Sequence, residues 1–359
     1  MINVAKPLIG PEEIEAVTRV MSGGGLAQGP EVAAFEREFS NVVSGRECIA
    51  VNSGTSALHL GLLAHNIGVG DEVIVPSFTF AATANSVRLT GATPVFADIE
   101  LDTYCIDPLH IETLITSRTK AIMAVHLYGQ AADISALQKL AKRYDLLFFE
   151  DAAQAHLAEF NGEPVGAFGA FAAFSFYPTK NMTAGEGGMI VTADKNAERT
   201  SRLLRNQGME KRYENELVGF NNRMTDIHAA IGRVQLRKLS EWTQQRKENA
   251  KFYNENLVGV VTPSVRELNS HVYHQYTIRV TNGSRDRFSE ELEKRGVGNG
   301  VYYPIPVHKL PSFDLQANLP NTEIACQTVL SIPVHPALTQ SELETVVHHV
   351  NSVASMNLR

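Results

Sequence analysis

Cysteine is scarce: Cys48, Cys105 and Cys326 are the only three in 359 residues, an odd number scattered far apart. No Cys-x-x-Cys pair occurs, so neither a disulfide framework nor a cysteine zinc site is supported, and a reducing compartment is the simpler reading. Positive charge is also short, with 32 Lys and Arg against 39 Asp and Glu for a formal net charge of -7. That balance argues against a general attraction to nucleic acid, and an anionic substrate would need a local binding cluster. The opening residues, Met1 to Pro7, lack a basic region followed by an apolar run, so no secretory signal is read. No apolar stretch approaches the ~20 residues of a membrane-spanning helix. These absences point to the cytoplasm and to no membrane partner. Internal repeats, low-complexity tracts and a Gly-x-x-x-x-Gly-Lys-Ser/Thr phosphate loop are likewise missing.

What is present is alternation. Short apolar runs at Glu72–Val75, Pro94–Ala97, Ala121–Val125 and Leu146–Phe149 read as strands. Between them lie amphipathic segments such as Ile134 to Tyr144, where Ile134, Leu137, Leu140 and Ala141 fall at helical spacing. Near-continuous apolar strands separated by helices predict an α/β fold with a mostly parallel sheet covered on both faces. In such sheets ligands collect beyond the carboxyl ends of the strands. From about Thr225 the pattern becomes a long helix, followed by a β-rich run from His271 to Val280 and a helix from about Asp286 to Lys294. The expected organisation is a large domain over 1–240 and a smaller α+β domain over 241–359. The N-terminal segment is a candidate to pack on the smaller one.

Four segments carry candidate chemistry. Val51-Asn52-Ser53-Gly54-Thr55-Ser56 reads as strand, tight turn and helix start, which is either an anion site or an ordinary helix cap. Leu146 to Ala155 is an apolar strand ending in two carboxylates, Glu150 and Asp151, at the rim where sites form. Such a carboxylate can bind magnesium, act as a base, hold a proton on a heterocyclic nitrogen, or simply cap a helix. Phe171 to Asn181, followed by Gly185-Glu186-Gly187-Gly188, places Lys180 in a glycine-rich loop between apolar strands. A lone lysine is ordinarily a solvated surface charge. One partly removed from water has a depressed pKa and can form an imine. Gly219 to Asp226 offers Asn221 and Arg223 as groups for a phosphate or carboxylate, with Thr225 or Asp226 capping the long helix.

Taken together, these segments occur in the order and spacing of one family. Ser53-Gly54-Thr55-Ser56-Ala57-Leu58, Glu150-Asp151-Ala152-Ala153-Gln154, Ser175-Phe176-Tyr177-Pro178-Thr179-Lys180-Asn181 and the Gly185 to Gly188 turn resemble the DegT/DnrJ/StrS sugar aminotransferases. Those are fold-type-I pyridoxal-phosphate enzymes that aminate keto sugars, usually on a nucleotide carrier. Pro76-Ser77-Phe78-Thr79-Phe80, Asn221-Asn222-Arg223-Met224, Tyr303-Pro304-Ile305-Pro306-Val307-His308 and Ser331 to Pro336 extend the resemblance over essentially the whole chain.

The resemblance implies that Lys180 holds pyridoxal 5'-phosphate as a Schiff base and that Asp151 faces its pyridine nitrogen. It implies Gln154 near the phenolic oxygen, Phe80 stacked on the ring, and Gly54, Thr55 and Ser175 in the phosphate cup. It implies that Asn221 reaches the phosphate from the other subunit of a homodimer, with no metal. Arg223 and His308 are candidate contacts for the sugar or its diphosphate, each with a structural role as the alternative. Asn222 departs from the bulkier residue of many relatives. The resemblance suggests L-glutamate as donor, and the Gly-Glu-Gly-Gly turn suggests a nucleotide-linked 4-keto-6-deoxy sugar aminated at carbon 4. A 3-keto nucleotide sugar or a keto-cyclitol is the alternative acceptor. A related group of dehydratases carries histidine at the lysine position, which Lys180 argues against. A non-catalytic regulator on the same fold leaves the set Lys180, Asp151 and Gln154 unexplained.

Overall fold

Each apolar run of the first half becomes a buried strand because both of its faces are covered. The computed structural model describes residues 1–356. Strands β1 (Glu47–Val51), β2 (Glu72–Pro76), β3 (Thr93–Ala97), β4 (Thr119–Val125) and β5 (Leu147–Asp151) precede a short hairpin, β6 (Glu159–Phe160) and β7 (Glu163–Pro164). Then come β8 (Phe171–Ser175) and β9 (Gly188–Thr192). Seven of them form one sheet in the order β1-β9-β8-β5-β4-β2-β3. The pairs from β8 through β5, β4 and β2 to β3 are parallel, and β9 alone runs antiparallel to its neighbours β1 and β8.

The helices of this half are α1 (Pro11–Gly23), α2 (Pro30–Ser40), α3 (Gly54–Ala64), α4 (Ala82–Leu89), α5 (Pro108–Leu114), α6 (Ile134–Tyr144) and α7 (Lys195–Arg205). Strand alternation divides the core between the two faces of the sheet. Ile122 and Ala124 of β4 join Phe35, Phe39 and Leu137 from α2 and α6, whereas Ala121 and Met123 join Leu58, Val87 and Leu204 from α3, α4 and α7. Helix α6 occupies the stretch that its spacing predicts, with Asp133 capping it by accepting from Ala136 N.

Helix α8 (Asp226–Asn256) follows, opened by Thr225, whose hydroxyl accepts from His228 N. Asp226 has a different task. Its Oδ1 accepts from Gly29 N (2.8 Å) and Val32 N (3.0 Å), so it satisfies the exposed start of α2 from across the fold. The expected boundary at residue 240 lies inside this unbroken helix, whose Ala250 and Tyr253 belong to a separate apolar cluster. That cluster gathers β11 (Tyr276–Arg279), α9 (Arg285–Lys294), β12 (Val329–Ile332) and α11 (Gln340–Ala354), beyond the two-residue β10 (Asn269–Ser270) and helix α10 (Pro320–Thr328). Ile2 packs against it and bridges to Val297.

The run from His271 to Val280 is not a strand throughout. Only Tyr276–Arg279 pairs, with β12. Tyr273 takes a left-handed φ of 45° and stacks on His271 at 4.1 Å, which turns the backbone out of any ladder before β11 begins. Among the described residues no helix is long and apolar enough to cross a membrane.

Candidate active site

The two carboxylates that end β5 point to opposite faces of the sheet. Glu150 is fully buried and accepts from Gly166 N (2.9 Å), Phe168 N (3.0 Å) and Gly169 N (2.7 Å), with His126 Nε2 at 3.1 Å. Burial pushes its carboxyl up, but His126 and these amides outweigh it and hold the group below the usual range. The expectation of two carboxylates at the rim is therefore corrected: Glu150 anchors the loop before β8, and only Asp151 reaches the rim. Asp151 Oδ2 accepts from Thr83 Oγ1 (2.7 Å) and Oδ1 from Ala153 N (3.2 Å). Because Thr83 gives its proton to Asp151, Thr79, 3.0 Å away, is the donor to Thr83. Burial raises the Asp151 pKa, with Thr83 and Ala153 opposing.

Asp151 opens onto a cavity of about 460 Å³ at the carboxyl ends of the parallel strands. Gly54, Thr55, Phe80, Gln154, Ser175 and Lys180 line it as well. One corner of it is built by close backbone approach. A Cβ on Gly54 would lie 2.7 Å from Ser175 Cβ, and one on Gly188 would lie 2.3 Å from the Ser53 carbonyl oxygen. The turn before α3, the end of β8 and the start of β9 are thus pressed together where only glycine fits. Ser53 caps α3 by accepting from Ser56 N (3.1 Å), and the first amides of a helix have no partner within it. The helix cap read in the sequence is therefore formed, and forming it leaves the Gly54 and Thr55 amides without a helical partner.

Lys180 is half-buried, and burial pushes its ammonium pKa down to about 8, with Asp151 acting in the opposite direction. Gln154 is fixed at both ends: its Oε1 accepts from Tyr128 N (2.8 Å) and its Nε2 donates to Tyr303 Oη (3.0 Å). Phe80 is 59% exposed, its ring 6.1 Å from that of Tyr303. Thr83, Tyr303, Tyr177, Glu186, His274 and Gln275 also line the cavity, and none of them is among the residues expected there. Thr83 and Gln275 carry no motif signal, while Tyr303 and Glu186 sit within quoted motifs and could have been singled out.

Three expected residues stand apart. Asn221 is exposed and bridges to Asn206, and Arg223 Nη1 donates to Asn206 Oδ1 (2.9 Å); neither lines the cavity of its own chain. His308 is fully buried, its Nδ1 2.7 Å from Ser77 Oγ and its ring against Phe96, out of reach of the cavity. As a substrate contact His308 has no access; it ties residues 307–309 to the end of β2. Asn222 acts here through its backbone, accepting from Asn52 N and donating to Arg205 O.

A glycine-lined helix start, a carboxylate held by two donors, a lysine of lowered pKa and an exposed aromatic ring suit a phosphorylated, protonated heterocycle that forms an imine. Comparison with known proteins agrees. The sequence model of the DegT/DnrJ/EryC1/StrS aminotransferase family matches residues 7–351. The dTDP-3-amino-3,6-dideoxy-alpha-D-galactopyranose transaminase of Aneurinibacillus thermoaerophilus is 42% identical over 342 residues, 94% of each chain. GDP-perosamine synthase of Caulobacter vibrioides is 39% identical over 364 residues, 98% of each chain. Among solved structures, DesV of S. venezuelae, in complex with a ketimine intermediate, is similar with a TM-score of 0.93 and 39% identity, covering 96% of this chain and 95% of that one. The PLP-form of the sugar aminotransferase Spr1654 from Streptococcus pneumoniae has a TM-score of 0.94 and 28% identity, over 100% of both chains.

Proposed function

The chain belongs to the DegT/DnrJ/EryC1/StrS aminotransferase family, with pyridoxal 5'-phosphate as cofactor, and on that premise we propose that it transfers the amino group of L-glutamate to carbon 4 of a nucleotide-linked 4-keto-6-deoxy sugar. The observation that carries the reading is the pairing of Lys180, its pKa lowered to about 8, with the doubly held Asp151 in one cavity beside the start of α3.

When bound, the cofactor supplies an electron sink for the carbon that loses its proton. Lys180 would be the residue linked covalently to it, and its Nζ, when free, would move the proton at the amino donor's α-carbon; the lowered pKa leaves a useful fraction of neutral amine near neutral pH. Asp151 keeps a proton on the ring nitrogen, since a buried carboxylate is stabilised by a facing positive charge. The Gly54 and Thr55 amides, the Thr55 hydroxyl and Ser175 would hold the phosphate, Gln154 would meet the phenolic oxygen and Phe80 would cover the ring. Asn221 completes the phosphate site from a second copy of the chain in a homodimer. Arg223, which also faces away from its own cavity, is offered to the sugar diphosphate.

Carbon 4 rests on the turn Gly185 to Gly188, whose Glu186 lines the cavity. Carbon 3 is the second reading, favoured by the relative named for a 3-amino sugar. Incubation with L-glutamate and either 4-keto or 3-keto nucleotide sugars, with products resolved by mass and NMR, tests the assignment. Amination at carbon 4 is expected; amination confined to the 3-keto compound or to a cyclitol ketone overturns it.

A further inference from the structure

The segment that leads into β11 presents two polar side chains to the cavity, and the protein fixes the hydrogen-bonding sense of both. Asn181, next to Lys180, donates its Nδ2 to the Val272 carbonyl (3.2 Å). A carbonyl can only accept, so the Asn181 side-chain oxygen must face His274 Nδ1, 3.3 Å away, and that nitrogen must carry the hydrogen. Burial, with Lys180 and Arg246 nearby, pushes the His274 pKa well below the ordinary value, so the ring stays neutral and Nε2 is left as an acceptor. Gln275 is oriented by a second chain of hydroxyls. Ser331 Oγ donates to Gln275 Oε1 (2.8 Å), and Thr277 Oγ1, 2.8 Å from Ser331, supplies the next proton. The Gln275 amide hydrogens remain for a ligand.

The backbone carrying this pair is pinned. Val272 N donates to Gly129 O, Gln275 N to Tyr128 O, and the buried Arg246 to the carbonyls of Tyr273 (3.2 Å) and His274 (3.4 Å). His274 and Gln275, with Thr179 and Tyr302, line both the main cavity and an adjoining recess of about 40 Å³, walled by Val4 and Ala5 of the N-terminal segment. At roughly 10–15 Å³ for each water-sized group, the recess admits only a small substituent.

A fixed acceptor beside a fixed donor selects among ligand groups. A carboxylate offers only acceptors and an ammonium only donors, whereas a hydroxyl offers one of each. We propose that His274 and Gln275 form a hydroxyl-reading pair for the ketone acceptor, with His274 Nε2 accepting from the hydroxyl and Gln275 Nε2 donating to its oxygen. This specificity role rests on the sugar-aminating reading above, which it deepens.

The test compares Gln275→Glu and His274→Leu with the wild type in the two halves of the reaction: keto acid released from L-glutamate, and amino sugar formed. Gln275→Glu still accepts from Ser331 but loses its donor, and its residue is half-buried, so it carries the test should His274→Leu fail to fold. Loss of one neutral hydrogen bond corresponds to a change of roughly 2–13-fold. The expected result is an acceptor KM raised about tenfold, weaker calorimetric binding of the aminated product, and an unchanged glutamate KM. An acceptor lacking the recognised hydroxyl should bind wild type more weakly and be insensitive to either substitution. Equal losses in both halves, or a loss confined to glutamate, overturn the pair while the aminotransferase reading stands. A wild-type enzyme that aminates only ketones without hydroxyls overturns the pair and the sugar reading together.

Discussion

Glu150 and Asp151 are adjacent carboxylates whose pKa values the fold shifts in opposite directions, in keeping with the anchoring contacts of the first and the proposed chemical role of the second. Glu150 has a folded pKa below its unfolded value, so its stabilising contribution is complete above about pH 4.3 and is lost as pH falls through the lower folded value. Removing it leaves three amides and the His126 Nε2 hydrogen without their acceptor; Glu150→Ala should lower unfolding free energy by about 3–5 kcal/mol in a urea titration. Asp151 has the opposite sign. Its raised folded pKa makes the ionised group a burden on the cofactor-free chain, and stability falls as pH rises through it. Asp151→Asn should therefore leave denaturant stability unchanged or slightly higher, while turnover falls by roughly a hundredfold or more. Lys180 gives a third measurement. In the cofactor-free protein its rate of acylation, followed by peptide mapping, should rise with an inflection near pH 8 instead of the ~10.4 of an exposed lysine. Asp151→Asn, which removes the neighbour favouring the charged form, should shift that inflection lower. Reduction with borohydride in the presence of cofactor should place the label on Lys180; a label on another lysine removes the core of the reading.

At the level of elements, legibility followed burial on both faces. Strands β2 to β5 and helix α6 announce themselves because covered parallel strands are apolar throughout and the helix keeps a 3.6-residue period. The antiparallel sense of β9 leaves no such trace, since a strand buried on both faces looks alike in either direction. His271 to Tyr273 imitate a strand because they are apolar and aromatic for another reason, packing behind the site with a left-handed turn at Tyr273. The glycines were legible as a motif but not as a cause. Gly188 is required because the Ser53 carbonyl occupies the space of any Cβ. Gly188→Ala should push β9 away from the start of α3 and weaken cofactor binding at least about tenfold, with a smaller effect on thermal unfolding. Equal cofactor affinity in this variant would detach the close approach from the phosphate site. The junction made by Asp226 was invisible for a different reason: its partners, Gly29 and Val32, lie far away in sequence.

For the whole molecule, the net charge of -7 means that the proposed nucleotide-linked substrate has to be drawn in by local basic groups and not by the overall field. In the proposed homodimer, Arg223 of the second copy is such a group. Asn221 and Arg223 lie outside the cavity of their own chain, and Phe80 is left exposed beside it. Mixing inactive Lys180→Ala chains with inactive Asn221→Ala chains should restore part of the activity, because one site of the mixed dimer regains both residues. Absence of rescue despite proven subunit exchange would count against a shared site.

The bridge between Ile2 and Val297 sets a schedule for the newborn chain. Ile2 leaves the ribosome almost three hundred residues ahead of its partner, a wait of roughly 15–60 s at ordinary rates of synthesis. The strands that carry Asp151 and Lys180 emerge meanwhile and can assemble first. The recess beside His274 gains its wall of Val4 and Ala5 only once the segment around Val297 has emerged, so that wall closes after the strands bearing Asp151 and Lys180 have been made.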